Sequence, residues 1–196
     1  MIKIILIRHS KTQGNIEGRY IGITDEHLCK DGIELLKSKD YPKVEAVYCS
    51  PLLRCTETAE IIYKNLKPKI YDGLRECSFG DFENKNYEEL KNDEYYQKWI
   101  DSNGTLPFPN GEKTKIFKNR CISAFDDIVN DITENKVDTS ALIVHGGTIM
   151  SILDKYSYPH KEFYNWQAKN GEGYLIEIDE ELWKLNTKYI KNIKLI

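Results

Sequence analysis

Arg8 and His9 stand directly after the run Ile2-Lys3-Ile4-Ile5-Leu6-Ile7, and His145 stands directly after Ala141-Leu142-Ile143-Val144, ahead of Gly146-Gly147. Both apolar runs read as buried strands, and open α/β sheets carry their chemistry beyond the carboxyl ends of such strands. A third segment, Ser50-Pro51-Leu52-Leu53-Arg54, follows the strand-like Val44–Tyr48. Together the three supply two guanidiniums, two imidazoles and two helix N-termini. The planar fork of arginine matches the oxygens of a phosphoryl group better than a lysine point charge does. Free amides at a helix N-terminus favour the same anion. Breaking a phosphate ester also needs a proton donor, because an alkoxide leaves poorly, and Glu76 in the loop before Phe79-Gly80 is the carboxylate that fits.

The elements that must hold these residues alternate between strand and helix. After the first strand comes a short helix from Asp31, then the strand at Val44–Tyr48. Ser50 as N-cap with Pro51 at the first helical position starts the next helix, whose stripe is Leu52, Cys55, Ala59, Ile62 and Leu66. Arg54 lies off that stripe, beside the free amides of the first turn. Lys69-Ile70-Tyr71 is a weak strand candidate, and a polar, aromatic-rich helix is expected from Tyr87 to Ile100. Tyr95, Tyr96 and Trp99 on it could line a lid or pack on the core. A long helix spans about Lys113 to Thr133, with Phe117, Cys121, Ala124, Ile128 and Ile132 on one face, and another covers Thr148–Lys155. The tail reads as two strands, Gly173–Ile178 and Lys184–Ile190, around the turn Asp179-Glu180-Glu181. The expected fold is a three-layer α/β/α sandwich with a mostly parallel central sheet. It forms a single domain over residues 1–196, with an inserted helical lid at about 79–112.

Bulk properties narrow the function. With 196 residues the chain suits one well-buried core. The net charge is −3 and the lysines are dispersed, which argues against a nucleic-acid partner or a polybasic membrane patch. The six-residue N-terminal apolar run has neither a basic leader nor a small-residue cleavage site, so no signal peptide is expected. No segment approaches the roughly 20 apolar residues of a membrane span. The five cysteines are odd in number without C-x-x-C spacing, as expected of reduced thiols in a cytoplasm. The partner expected from the phosphoryl-suited set of arginines, imidazoles and helix N-termini is a small phosphorylated metabolite.

Taken in order, these motifs resemble the histidine phosphatase superfamily, whose members include the cofactor-dependent phosphoglycerate mutases. Arg8-His9 with Thr12 and Asn15 resembles its R-H-G-x-T/S-x-x-N signature, and Arg19-Tyr20 with Gly22, Asp25 and Leu28 the segment after it. Ser50-Pro51-Leu52, Arg54, Thr58 and Ala59 resemble its S-P-L-x-R-x-x-x-T-A helix start. Leu74, Glu76 and Phe79–Glu83 resemble its acid loop, Asn110-Gly111-Glu112 with Arg120 its G-E-x helix entry, and His145-Gly146-Gly147 its terminal motif. The resemblance implies a phosphoglycerate-mutase-like fold and a two-step reaction. His9 attacks phosphorus as a neutral imidazole and water hydrolyses the phosphohistidine. Arg8, Arg54 and His145 hold the equatorial oxygens, and Glu76 is the acid. Asn15 and the backbone of Gly22 and Gly146 add hydrogen bonds to the phosphate. No metal and no cofactor are implied.

Three positions depart from the pattern. Ser10 replaces the usual glycine, a mild replacement that adds a Cβ to the loop and with which activity is expected to persist; Lys113 stands for a common serine, and Ile21 for a residue that is often polar. Cys77 and Gly147 occupy positions that carry Arg and Asn in resembling mutases, which favours hydrolysis over mutase activity. Within the phosphatase branch, Gly80-Asp81-Phe82-Glu83 and Asn170-Gly171-Glu172-Gly173 look most like α-ribazole phosphatases. A phosphoglycerate mutase and a non-catalytic phosphate sensor stay open. A cysteine phosphatase does not suit the chain, because only four residues separate Cys49 from Arg54 where a C-x5-R loop has five. A metal hydrolase lacks paired histidine spacing, and His27 and His160 read as surface residues.

Overall fold

In the computed structural model, which describes residues 1–196, the central strand β1 (Ile2–Arg8) turns alternate side chains to opposite faces of the sheet. Along the chain follow α1 (Gln13–Ile16), α2 (Lys30–Lys37), β2 (Ala46–Cys49), α3 (Leu53–Ile62) and β3 (Lys69–Ile70). Then come α4 (Tyr87–Leu90), α5 (Glu94–Asp101), α6 (Thr114–Glu134), β4 (Thr139–Val144) and α7 (Gly146–Tyr156). The tail holds β5 (Gly173–Ile178), α8 (Glu180–Lys184) and β6 (Ile193–Leu195). The six-stranded sheet has the order β3-β2-β4-β1-β5-β6. Its first four strands are parallel, β5 adds antiparallel to β1, and β6 adds antiparallel to β5.

The period of two along the strands divides the core into two layers. Ile4 and Leu6 of β1 join Leu142, Val144 and Ile176 under the apolar face of α6 and α7, where Phe125, Ile128 and Ile149 are fully buried. Ile5 and Ile7 turn the other way, onto Cys55 and Ala59 of α3. This is the expected α/β/α sandwich. In α6 the predicted stripe Phe117, Cys121, Ala124, Ile128 and Ile132 is buried throughout. No helix is long and apolar enough to cross a membrane.

Three elements differ from the sequence reading. The helix expected over 87–100 is two: Asn86 caps α4, and Asp93 caps α5 by accepting from the Tyr96 amide, which breaks the run between them. Helix α3 begins at Leu53, and the amide of Leu53 is capped by Asp25 Oδ1 at 2.8 Å; the Ser50 hydroxyl is engaged elsewhere. The second tail strand lies later than expected. Asp179 Oδ1 accepts from the amides of Glu181 and Leu182, so Glu180–Lys184 winds into a helix that buries Trp183, and β6 forms only at Ile193–Leu195.

Segment 79–112 builds a small aromatic core of its own, with Phe82, Leu90 and Tyr96 buried and Tyr20, Phe79, Trp99 and Phe108 packed on them. Where β5 meets β1, Gly173 lies opposite Ile7, and a Cβ there would run into the carbonyl of Leu6. Gly173→Ala must therefore push two central strands apart. It is expected to destabilise the fold by about 1–3 kcal/mol, read from the urea midpoint; an unchanged midpoint would show that the contact is slack.

Candidate active site

The parallel register sets the site. Arg8 pairs with Val144, so the next residue of each strand, His9 and His145, emerges at the same sheet edge. The two rings stand edge to face with centroids 5.2 Å apart. His9 is 4% exposed, and its Nδ1 lies 2.7 Å from the carbonyl oxygen of Ser10. A carbonyl only accepts, so Nδ1 carries the proton and Nε2 presents its lone pair. Burial first, then the Arg54 and Arg8 charges, push the pKa of His9 well below 6.5, and the ring is neutral. His145 is pushed down in the same way, and its Nε2 is hydrogen-bonded to Ser50 Oγ at 2.8 Å.

Ser10 does not crowd this turn. Its hydroxyl donates to Gly32 O at 2.7 Å and its amide donates to Thr58 Oγ1 at 3.0 Å, so the side chain ties the loop after β1 to α2 and α3. Asn170 braces the same turn, its Nδ2 donating to His9 O and Asn15 Oδ1, each at 3.1 Å. Asn15 Oδ1 also accepts from the Thr12 amide, which leaves Nδ2 as the side-chain group Asn15 can turn to an anion.

Arg54 is completely buried. Its Nη1 donates to Thr24 O at 2.8 Å, and its Nη2 donates to Gly22 O at 2.8 Å and Ile21 O at 3.3 Å, while Nε has no partner. Arg8 repeats the pattern, with Nη1 donating to Ala168 O at 2.9 Å and Nε buried without an acceptor. An orphaned buried donor costs about 1–3 kcal/mol. Two of them, on charged groups, are donors that an anion would satisfy. Gly22 takes a different part from the one its motif implied: its amide is held by Glu83 Oε1 at 2.8 Å, and its carbonyl orients Arg54. Ile21 is buried and likewise serves Arg54 through its carbonyl. Gly146, the first residue of α7, lines the cavity.

Glu76 lines the same cavity. The protein packed round its carboxyl raises the pKa above its ordinary value, against the opposing pull of the Cys77 amide, Arg54, Arg8 and the Gly147 amide. Arg120 fixes its backbone. The guanidinium grips Glu112 with Nε at 2.7 Å and Nη2 at 2.8 Å, and donates to the carbonyls of Gly73, Arg75 and Glu76. Lys113 caps α6 with its backbone and is exposed. Cys49 is buried and its thiol is pushed up, which is the wrong direction for a thiolate nucleophile. His27 pairs with Glu57 at the surface. No group of three or more His, Cys, Asp or Glu side chains is arranged to hold a metal ion.

The cavity measures about 630 Å³, with Arg8, Glu76 and Gly146 among its lining. The family model of the histidine phosphatase superfamily (branch 1) matches residues 4–191. The chain belongs to this superfamily. A broad-specificity phosphatase of Saccharomyces cerevisiae is 29% identical to this histidine phosphatase over 83% of the chain and 73% of its own length. The adenosylcobalamin/alpha-ribazole phosphatase of Escherichia coli is 27% identical over 92% of each. Among solved structures, the alpha-ribazole phosphatase of Shigella flexneri superposes with a TM-score of 0.74 at 25% identity, covering 91% of both chains.

Of the expected site residues, the histidine phosphatase brings Arg8, His9, Arg54, His145, Glu76 and Gly146 to one sheet edge, and Asn15 beside them. Three partners escaped the sequence reading: Ser50 as the neighbour of His145, Asn170 under His9, and Arg120 behind Glu76. Asn170-Gly171 carried the one local signal, a turn pair, with Gly171 at φ 71°. The orphaned Nε atoms predict that inorganic phosphate or vanadate raises the melting temperature of the histidine phosphatase, a ligand at 100 times its Kd adding about 2.7 kcal/mol. Arg54→Met and Arg8→Gln should each lose most of that shift. A full shift in both variants would place the anion elsewhere.

Proposed function

We propose that this histidine phosphatase is a metal-independent phosphomonoesterase acting on a small-molecule phosphate through a phosphohistidine on His9. The observation that carries the reading is a neutral imidazole with a bare Nε2, set among two guanidiniums whose Nε groups lack acceptors. In the first step His9 Nε2 forms a bond to phosphorus while the ester P–O bond breaks. Glu76, protonated because its pKa is raised, gives its proton to the departing oxygen. In the second step Glu76 takes a proton from water as the water oxygen attacks phosphorus and the P–N bond breaks. Arg8, Arg54 and His145 hold the equatorial oxygens throughout, and preorganised donors of this kind are typically worth about 10²–10³-fold each. Asn15 Nδ2 and the Gly146 amide complete the cradle.

Hydrolysis suits the cavity better than a mutase reaction. A mutase must hold a second anionic group, and Lys169 is the only lining cation besides Arg8. For the substrate we propose a phosphorylated metabolite of the α-ribazole phosphate kind. Support comes from the near-complete mutual coverage with the Escherichia coli relative of that name. The five free thiols suit a cytoplasmic setting.

His9→Ala should abolish release of phosphate from p-nitrophenyl phosphate while the fold survives; persistent turnover would sink the mechanism. The two titrations give the pH profile its sign. A lowered His9 pKa keeps the nucleophile unprotonated to well below pH 6.5, and a raised Glu76 pKa keeps the acid protonated to above its ordinary value of about 4.5. For alkyl esters kcat/KM should therefore peak at acidic pH and fall on the alkaline side. Glu76→Gln should lower the rate by about 10²–10⁴-fold on alkyl esters, less on aryl esters, and erase the alkaline limb. An unchanged limb in that variant would assign the acid to another group.

A further inference from the structure

Arg8, Glu76 and Gly146 account for one end of the cavity and leave most of its 630 Å³ unexplained. That remaining wall is made of rings drawn from distant parts of the chain: Tyr20, Phe79, Trp99, Phe108, Phe163 and Tyr164. Four of them, Tyr20, Phe79, Trp99 and Phe108, are backed by the buried cluster of Phe82, Leu90 and Tyr96, yet none of the four is itself fully buried. Tyr20 stands edge-on to Phe79 and Trp99, with centroids 5.5 and 6.0 Å away, so the rings are fixed against one another before any ligand arrives. On the opposite side Phe163 and Tyr164 meet edge to face at 5.1 Å, and Lys118 Nζ caps the Phe163 ring from 4.1 Å. Gly104 joins the two sides. A Cβ on it would strike the Tyr164 hydroxyl and lie 3.2 Å from the Trp99 ring, so the backbone there closes down over the cavity.

We infer that this ring-lined space is a subsite for an uncharged, flat aromatic group on the leaving alcohol, with Trp99 and Tyr164 as its specificity-determining walls. The assignment rests on the phosphatase reading above and adds the class of ester that the site prefers. A flat ring gains offset and edge-to-face contacts on such walls. A carboxylate placed there loses its water, and the only cations lining the cavity are Arg8, at the phosphate end, and the exposed Lys169. Compact anionic esters are thus disfavoured by the same surface that welcomes a ring.

The test compares alkyl esters, so that leaving-group chemistry stays nearly constant. kcat/KM is measured on 2-phenylethyl phosphate, ethyl phosphate and 3-phosphoglycerate, with p-nitrophenyl phosphate as a general probe of turnover. The phenylethyl ester should exceed the ethyl ester by roughly 10–100-fold, in line with what an apolar contact in a pocket discriminates, and 3-phosphoglycerate should be the poorest. Trp99→Ala and Tyr164→Ala, made separately, should each shrink the phenylethyl-to-ethyl ratio. Equal rates on all three alkyl esters, a preference for 3-phosphoglycerate, or a ratio untouched in both variants would overturn the subsite while leaving the phosphatase reading intact. No release from any ester, p-nitrophenyl phosphate included, would remove that reading and the subsite with it.

Discussion

Two guanidiniums whose Nε atoms find no acceptor lie at the carboxyl edge of the sheet, and much of the surrounding structure serves to hold them there. Arg54 is stripped of water altogether, which is tolerable only because its Nη groups are met by the carbonyls of Ile21, Gly22 and Thr24. Those carbonyls need a loop of fixed shape. Glu83 supplies it by accepting from the Gly22 and Thr24 amides and the Thr24 hydroxyl, and Asp25 then caps the helix that carries Arg54. The chain from residue 20 to residue 26 is thus folded round a charge. Donors orphaned in this way in the free protein are preorganised for an anion, so little reorganisation is needed when a phosphoryl group arrives.

The same field sets the protonation of everything near it. Withdrawal from water and the two arginines act together on His9 and keep it neutral. On Glu76 they oppose each other, and withdrawal from water wins. A lowered imidazole pKa and a raised carboxyl pKa, the pairing that the proposed nucleophile and acid require, therefore arise in one environment without a separate device for each. The backbone completes the division of labour: the Ser10 carbonyl selects the His9 tautomer, and Arg120 anchors the strand of chain that bears Glu76.

The layer architecture was legible from local pattern, and so was the placement of Arg8, His9 and His145, each at the end of a strand-length apolar run; Arg54 and Glu76 were picked out by their motif positions. What could not be read depended on partners far along the chain. Ser50 has the signature of an N-cap, but His145, 95 residues away, takes its hydroxyl, and Asp25 caps from outside the helix. Lys184–Ile190 carries enough β-branched and aromatic residues to resemble a strand, yet Asp179 satisfies two amides ahead of it and winds Glu180–Lys184 into a helix, so the strand pairing is deferred to Ile193–Leu195. Gly22 sat in the right motif and was given the wrong role, since which way its amide points is decided by Glu83. Phe163 and Tyr164 had no periodic signal at all. Only the packing of the segment after α7 against Gly104 makes them a wall.

The central claim is that the phosphoryl group passes through His9. The most direct measurement mixes the enzyme with ³²P-labelled p-nitrophenyl phosphate, quenches in alkali on the millisecond scale and maps the label by proteolysis and mass spectrometry. A P–N bond survives alkali and is lost in acid. The expected result is an alkali-stable, acid-labile label on the peptide containing His9, formed at least as fast as steady-state turnover. Continued turnover with no label on His9, or with the label on another residue, would contradict the account.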